Sequence, residues 1–131
     1  MIVLDTHTLL WWVSGAALGK LARAAIEQEL EEGGEIVIST MTAWEIAMLV
    51  KRGRVVLSAD VGDWLDKVSR IEGVRFVPVD RNIAVKSADL PGEFHKDPAD
   101  RMIVATARSL SAPLVTKDRR IRDYQHVKTI W

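Results

Sequence analysis

Four acidic residues stand where this chain stops being apolar. Asp5 follows Ile2-Val3-Leu4, and Asp118 follows Leu114-Val115-Thr116-Lys117. Glu45 lies inside the otherwise nearly apolar Met41–Val50, and Asp100 closes Asp97-Pro98-Ala99-Asp100 at the opening of a helical pattern. A buried carboxylate is costly unless it is paired or holds a metal. Four of them beside apolar segments suggest one acidic pocket and a hard divalent cation. The chemistry that needs several carboxylates and no cysteine is phosphoryl transfer dependent on Mg²⁺ or Mn²⁺, in which the ions activate water and neutralise charge on the phosphate.

Each acid also has a structural reading. Asp5 can cap the helix that follows it. The helical neighbours of Glu45 at three and four residues are Met41, Thr42, Met48 and Leu49, so its carboxylate points at the core or into a pocket, where a buried Arg could pair with it. Asp97 and Asp100 are spaced i, i+3 around Pro98, which makes Asp97 the N-cap and sets both acids at the positive end of a helix. Asp118 can be a turn residue. Taken together, these readings require four separate accidents that all leave acids at strand ends or on a core-facing stripe.

The elements that must position them follow from periodicity. Ile2–Leu4, Ile36–Ile38, Val74–Val79 and Pro113–Thr116 read as buried strands, and Val127–Ile130 as an edge strand. Val55–Leu57 reads as a short extended piece. Helices are expected over Leu9–Val13, Lys20–Glu32 (with Leu21, Ala25, Ile26 and Leu30 inward), Met41–Arg52, Val61–Ile71, Asn82–Ala88 and Pro98–Leu110. Strands alternate with helices, which implies an α/β fold with a mainly parallel sheet covered on both faces. In such folds ligands bind beyond the carboxyl ends of the strands, where Asp5 and Asp118 fall.

The 131 residues fit a single domain spanning 1–131, and 48% apolar residues suffice for a core. No apolar run is long enough to cross a bilayer, and no basic segment precedes an apolar run as in a secretory signal. The absence of cysteine excludes disulfides, thiolate zinc sites and cysteine nucleophiles, and is compatible with a cytoplasmic protein. The net charge of zero hides an asymmetry. Residues 1–65 carry five Lys/Arg against nine Asp/Glu, and residues 66–131 carry thirteen against nine. The basic excess is densest at Lys117-Asp118-Arg119-Arg120-Ile121-Arg122, which reads as a solvated turn or as a rim that tracks phosphates.

The segments Val3-Leu4-Asp5-Thr6-His7-Thr8-Leu9-Leu10-Trp11, Ser39-Thr40-Met41-Thr42-Ala43-Trp44-Glu45-Ile46, His95-Lys96-Asp97-Pro98-Ala99-Asp100-Arg101 and Leu114-Val115-Thr116-Lys117-Asp118 together resemble the PIN-domain ribonucleases. The resemblance is nearest to the VapC-type toxins of bacterial toxin–antitoxin pairs and covers essentially the whole chain. It implies a three-layer α/β/α sandwich with a PIN-like sheet. It also implies an endoribonuclease dependent on Mg²⁺ (or Mn²⁺), whose catalytic and metal-binding quartet is Asp5, Glu45, Asp100 and Asp118. Asp97 would be an additional ligand or a helix cap, and Thr116 the hydroxyl that steadies the site, with Thr6 in a supporting place. Arg101, Lys117, Arg119 and Arg120 are candidates for contacts to the RNA backbone. The implied partners are an RNA substrate, a small antitoxin protein and a second copy of the chain, with no membrane.

Other readings are weaker. A stand-alone RNA-processing nuclease shares the same site. A haloacid-dehalogenase-like phosphatase needs a second acid where His7 stands. A non-enzymatic, Mg²⁺-binding receiver-like switch needs paired acids after the first strand and a phosphoacceptor after the third, where this chain offers only Asp5 and Pro78-Val79-Asp80. A plain binding module would close the pocket with Arg or Lys. His7, His95 and His126 lack a metal-ligand spacing; His7 reads as a structural or capping residue and His95 as a loop residue. Trp11, Trp12, Trp44 and Trp64 read as core, although Trp11 and Trp12 cannot both point inward on one helix.

Overall fold

The computed structural model describes residues 1–131. Its centre is β1 (Ile2–Leu4), β2 (Ile36–Ser39), β3 (Val74–Val77), β4 (Leu114–Val115) and β5 (Thr129–Ile130). All pairings are parallel, in the order β3-β2-β1-β4-β5, with Val3 opposite both Val37 and Leu114. The central place of β1 explains why all three of its residues are buried and why it reads as an unbroken apolar run.

The period of two sorts the strand side chains between two cores. Val3, Val37, Val77 and Leu114 face α5 (Arg81–Ala88), α6 (Pro98–Ser109) and α7 (Arg119–Arg122) through Ile83, Ile103, Val104 and Ile121. Ile2, Leu4, Ile36, Ile38 and Val115 face α1 (Thr6–Ser14), α2 (Lys20–Glu31), α3 (Thr40–Lys51) and α4 (Val61–Ser69) through Leu9, Ile26, Ile46 and Trp64. The sheet is thus the middle layer of a three-layer α/β/α sandwich, as the sequence implies.

Four details depart from the sequence reading. The inward stripe of α2 is Ala22 and Ile26, while Leu21 is 65% and Leu30 42% exposed. Small Ala22 lets the helix approach the sheet, which a stripe centred on Leu21 would prevent. Val55–Leu57 pairs with no strand; Val55 and Leu57 pack on the core, and Val56 points to solvent. Trp44, expected in the core, is 57% exposed, whereas Trp64 is buried. The basic run after Asp118 is a short helix, α7, capped by Asp118 and anchored by fully buried Ile121.

No helix is long and apolar enough to cross a membrane.

Candidate active site

The acidic residues meet at the carboxyl ends of β1 and β4, beside the N-terminal half of α3 and the first turn of α6. Asp5 leaves β1 and caps α1, accepting the Thr6 amide on Oδ1 at 2.9 Å. Its Oδ2 accepts the Thr116 hydroxyl at 2.7 Å. Thr116 follows β4, the neighbour of β1, and its hydroxyl oxygen in turn accepts the amide of Asp118 at 3.0 Å. One buried hydroxyl therefore ties together the chain segments that carry two of the four acids.

Thr6 does the corresponding work for Glu45. Its hydroxyl donates to Glu45 Oε1 at 2.5 Å and lies 3.0 Å from the hydroxyl of Thr42, one turn before Glu45 on α3. Glu45 lines a groove beside Asp97, and neither it nor Asp5 has a Lys or Arg partner. That removes the reading in which a buried Arg closes the site. Asp97 caps α6, accepting the Asp100 amide at 3.2 Å, so Asp100 projects from the first turn of the helix towards Asp5.

The electrostatics follow from this crowding. Burial pushes the Asp5 and Glu45 carboxyls up, more strongly than the threonine hydrogen bonds hold them down. Burial, then the charges of Asp5, Asp97, Asp118 and Glu45, push Asp100 up to about 8. Asp118 behaves oppositely. Its partial burial works upward, but the hydrogen bonds and charge of Arg120 outweigh it and hold the carboxyl below its ordinary value. Arg120 reaches Asp118 Oδ2 at 3.3 Å and Asp100 Oδ2 only at 3.6 Å, with its own side chain largely in solvent. Such an exposed contact compensates Asp100 weakly.

His95, which the sequence leaves as a loop residue, stands beside this cluster. Its Nε2 lies 3.0 Å from Asp100 Oδ2 but out of line for a hydrogen bond, so the ring nitrogen is buried and unpartnered. Burial and nearby Arg120 lower its pKa, against the pull of Asp97 and Asp118. The signal available in the sequence was its place two residues before the cap of α6, where the Asp97 amide lies within 3.4 Å of Nδ1.

No three of these side chains are arranged to hold a metal ion as they stand. The donor set nonetheless suits a hard cation. It is built of carboxylate oxygens, it lacks a strong internal countercharge, and the crowding raises Asp100 far above the ordinary carboxylate range.

The basic candidates divide. Lys117, Arg119 and Arg120 line a cavity of about 540 Å³ that Asp5 and Asp118 share. Arg101 does not. Its guanidinium donates to the carbonyls of Ser87 (2.8 Å), Phe94 (3.0 Å), His95 (3.2 Å) and Ala88 (3.3 Å). The expectation of a phosphate contact is corrected here: Arg101 fastens the end of α5 and the loop before α6, because those carbonyls have no strand or helix partner.

The comparisons with known proteins agree with this architecture. The PIN domain profile matches residues 2–127. Over 132 aligned residues, covering 99% of this chain and 98% of the relative, the sequence is 36% identical to Ribonuclease VapC22 of Mycobacterium tuberculosis. The fold resembles VapBC2 from Rickettsia felis, solved with a promoter DNA fragment (TM-score 0.72, 16% identity, 98% of this chain and 97% of that one). It also resembles a toxin–antitoxin complex from Klebsiella pneumoniae (TM-score 0.64, 22% identity, 97% and 95% covered). With its parallel sheet, its acids gathered at the strand ends and this match along nearly its whole length, the chain belongs to the PIN-domain family.

Proposed function

We propose that this chain is an endoribonuclease that hydrolyses RNA phosphodiester bonds with a divalent cation, Mg²⁺ or Mn²⁺, and serves as the toxin of a cytoplasmic toxin–antitoxin pair. The observation that carries the chemistry is the convergence of Asp5, Glu45, Asp100 and Asp118 without a buried cationic side chain among them. The near-full-length relative named a VapC ribonuclease supports RNA as the substrate. A receiver-like switch is disfavoured by the sheet order. It places β1 at the centre and β3 at the edge, so Asp80 merely caps α5 at the margin.

In this reading Asp5 and Asp100 would hold the principal ion, Glu45 and Asp118 would complete the acidic set, and Asp97 serves as the cap of α6. When bound, the ion supplies charge for the phosphate and makes a water more acidic. The chain does the rest. Thr116 and the Thr6 amide fix both oxygens of Asp5, and Thr6 fixes Glu45. The raised proton affinity of Glu45 suits it to take a proton from the attacking water. The water oxygen bonds to phosphorus, the bond from phosphorus to the leaving ribose oxygen breaks, and that oxygen takes up a proton. Lys117, Arg119 and Arg120 bind neighbouring phosphates.

For a protein partner we point to one groove. Exposed Trp44 shares a groove of about 440 Å³ with Met41, Met48 and Leu49, beside Glu45 and Asp97. An antitoxin segment or a second copy of the chain seated there would cover both the tryptophan and the approach to the acids.

The test is cleavage of a structured RNA pool with Mg²⁺, with Mn²⁺ and with EDTA, beside the Asp5→Asn variant. Cleavage is expected with either ion and in neither the EDTA sample nor the variant. Full activity in a folded Asp5→Asn protein refutes the assignment.

A further inference from the structure

Asp5 and Asp118 do not only face one another. They also form part of the cavity of about 540 Å³ that continues past them to the rings of His7 and Trp11 and to Lys117 and Arg120. A cavity of this size lies in the range that seats a small ligand. Its composition is unusual for a plain acidic cleft, since it joins acids, cations and an accessible indole.

The indole is braced. His7 and Trp11 lie one turn apart on α1, with ring centroids 5.6 Å apart. Trp131 meets Trp11 edge-on at 5.6 Å. Trp131 is itself wedged against Gly19, where even a Cβ would fall 2.7 Å from Cδ1 and Nε1 of its ring. The Lys117 ammonium hangs 5.8 Å from the Trp11 centroid, a contact a flexible side chain readily gives up. Trp11 follows Asp5 by six residues along one helix, a rise of about 9 Å. A fixed indole thus stands within a nucleotide or two of the acids, and its neighbouring cations suit the linking phosphates.

We propose that this cavity seats one unpaired nucleobase next to the scissile phosphate, stacked on Trp11, while Lys117 turns from the ring to the RNA backbone. This inference rests on the ribonuclease reading and adds a base-binding residue to it, Trp11, which only an unpaired base can reach, because a paired base has no free face to offer an aromatic side chain. His7 extends the platform at its exposed edge, and Trp131 positions Trp11 without touching RNA.

The experiment measures binding of a fluorescein-labelled, random-sequence single-stranded RNA of about 12 nucleotides, and of a duplex of the same length, to Asp5→Asn protein with Mg²⁺. The same measurement is made on that background carrying Trp11→Ala or Trp11→Phe, with wild-type cleavage of the RNA pool followed separately. The single strand is expected to bind more tightly than the duplex. Trp11→Ala should weaken single-strand binding about 10-fold, and Trp11→Phe should restore most of it. The quenching of intrinsic tryptophan fluorescence by the single strand should shrink in Trp11→Phe although binding persists. Wild-type cleavage together with unchanged single-strand affinity in Trp11→Ala overturns this inference alone. Absence of RNA binding by the Asp5→Asn protein together with absence of cleavage by the wild type overturns it along with the ribonuclease reading.

Discussion

Asp100 offers a sharp test of how the acidic cluster works. Its carboxyl is raised from 3.8 to about 8 by burial and by Asp5, Asp97, Asp118 and Glu45. A cation must displace that proton to bind. With a pKa of about 8, the group is about 99% protonated at about pH 6 and half ionised at about pH 8. The apparent affinity for Mn²⁺ should therefore rise about 50-fold across that interval, with close to one proton released per ion at the acid end. Asp5 and Glu45, also raised, add to the slope with the same sign. Stability follows the same linkage. An acid whose pKa is higher in the native state favours the fold below its ordinary pKa of 3.8, and this contribution is lost as pH rises through about 8. The metal-free protein should lose melting temperature towards mildly alkaline pH, and added Mn²⁺ should restore it. Asp100→Asn should flatten the metal-free profile and abolish most of the restoration. Titration calorimetry in two buffers of different ionisation heat counts the protons directly. An affinity that does not change with pH, or binding without proton release near pH 6, refutes the reasoning.

Other perturbations separate structural from chemical roles. Thr116→Val removes the donor to Asp5 and the acceptor for the Asp118 amide, and should lower the cleavage rate about 10- to 100-fold, with Thr116→Ser close to wild type; equal rates for Val and Ser remove the hydroxyl from the mechanism. Arg101→Ala strands four carbonyls and should cost about 3 kcal/mol in urea denaturation. A variant at that position with normal stability and weakened RNA binding would reinstate it as a phosphate contact. Trp64→Ala should cost about 3–5 kcal/mol as a core truncation. Trp44→Ala should stay within about 0.5 kcal/mol, and a loss comparable with that of Trp64 would place Trp44 in a packed core after all.

The sequence alone determined the architecture and pointed to the acids of the candidate site. Unbroken apolar runs such as Ile2–Leu4 and Ile36–Ile38 report burial on both faces, and their alternation with helices leaves a covered parallel sheet as the natural solution. Acids directly after such strands must lie at carboxyl ends, which is why Asp5 and Asp118 were legible, and why Asp97 read as a cap before Pro98. Only the tertiary structure decided matters that depend on distant partners. Arg101 and Arg120 are the same residue type near the same acids. One is consumed by four carbonyls and the other reaches Asp118 from solvent, a difference set by loops that the local sequence does not describe. His95 joined the site because the loop before α6 folds back against Asp100, and Trp44 stayed outside because the stripe of α3 that faces the sheet is Thr42 and Ile46. Trp11 gained its place through Trp131, at the far end of the chain, whose ring fits only because residue 19 has no side chain. Local propensity and periodicity act within a helix or strand; which exposed side chains meet is set by packing between elements, and that information is spread over the whole chain.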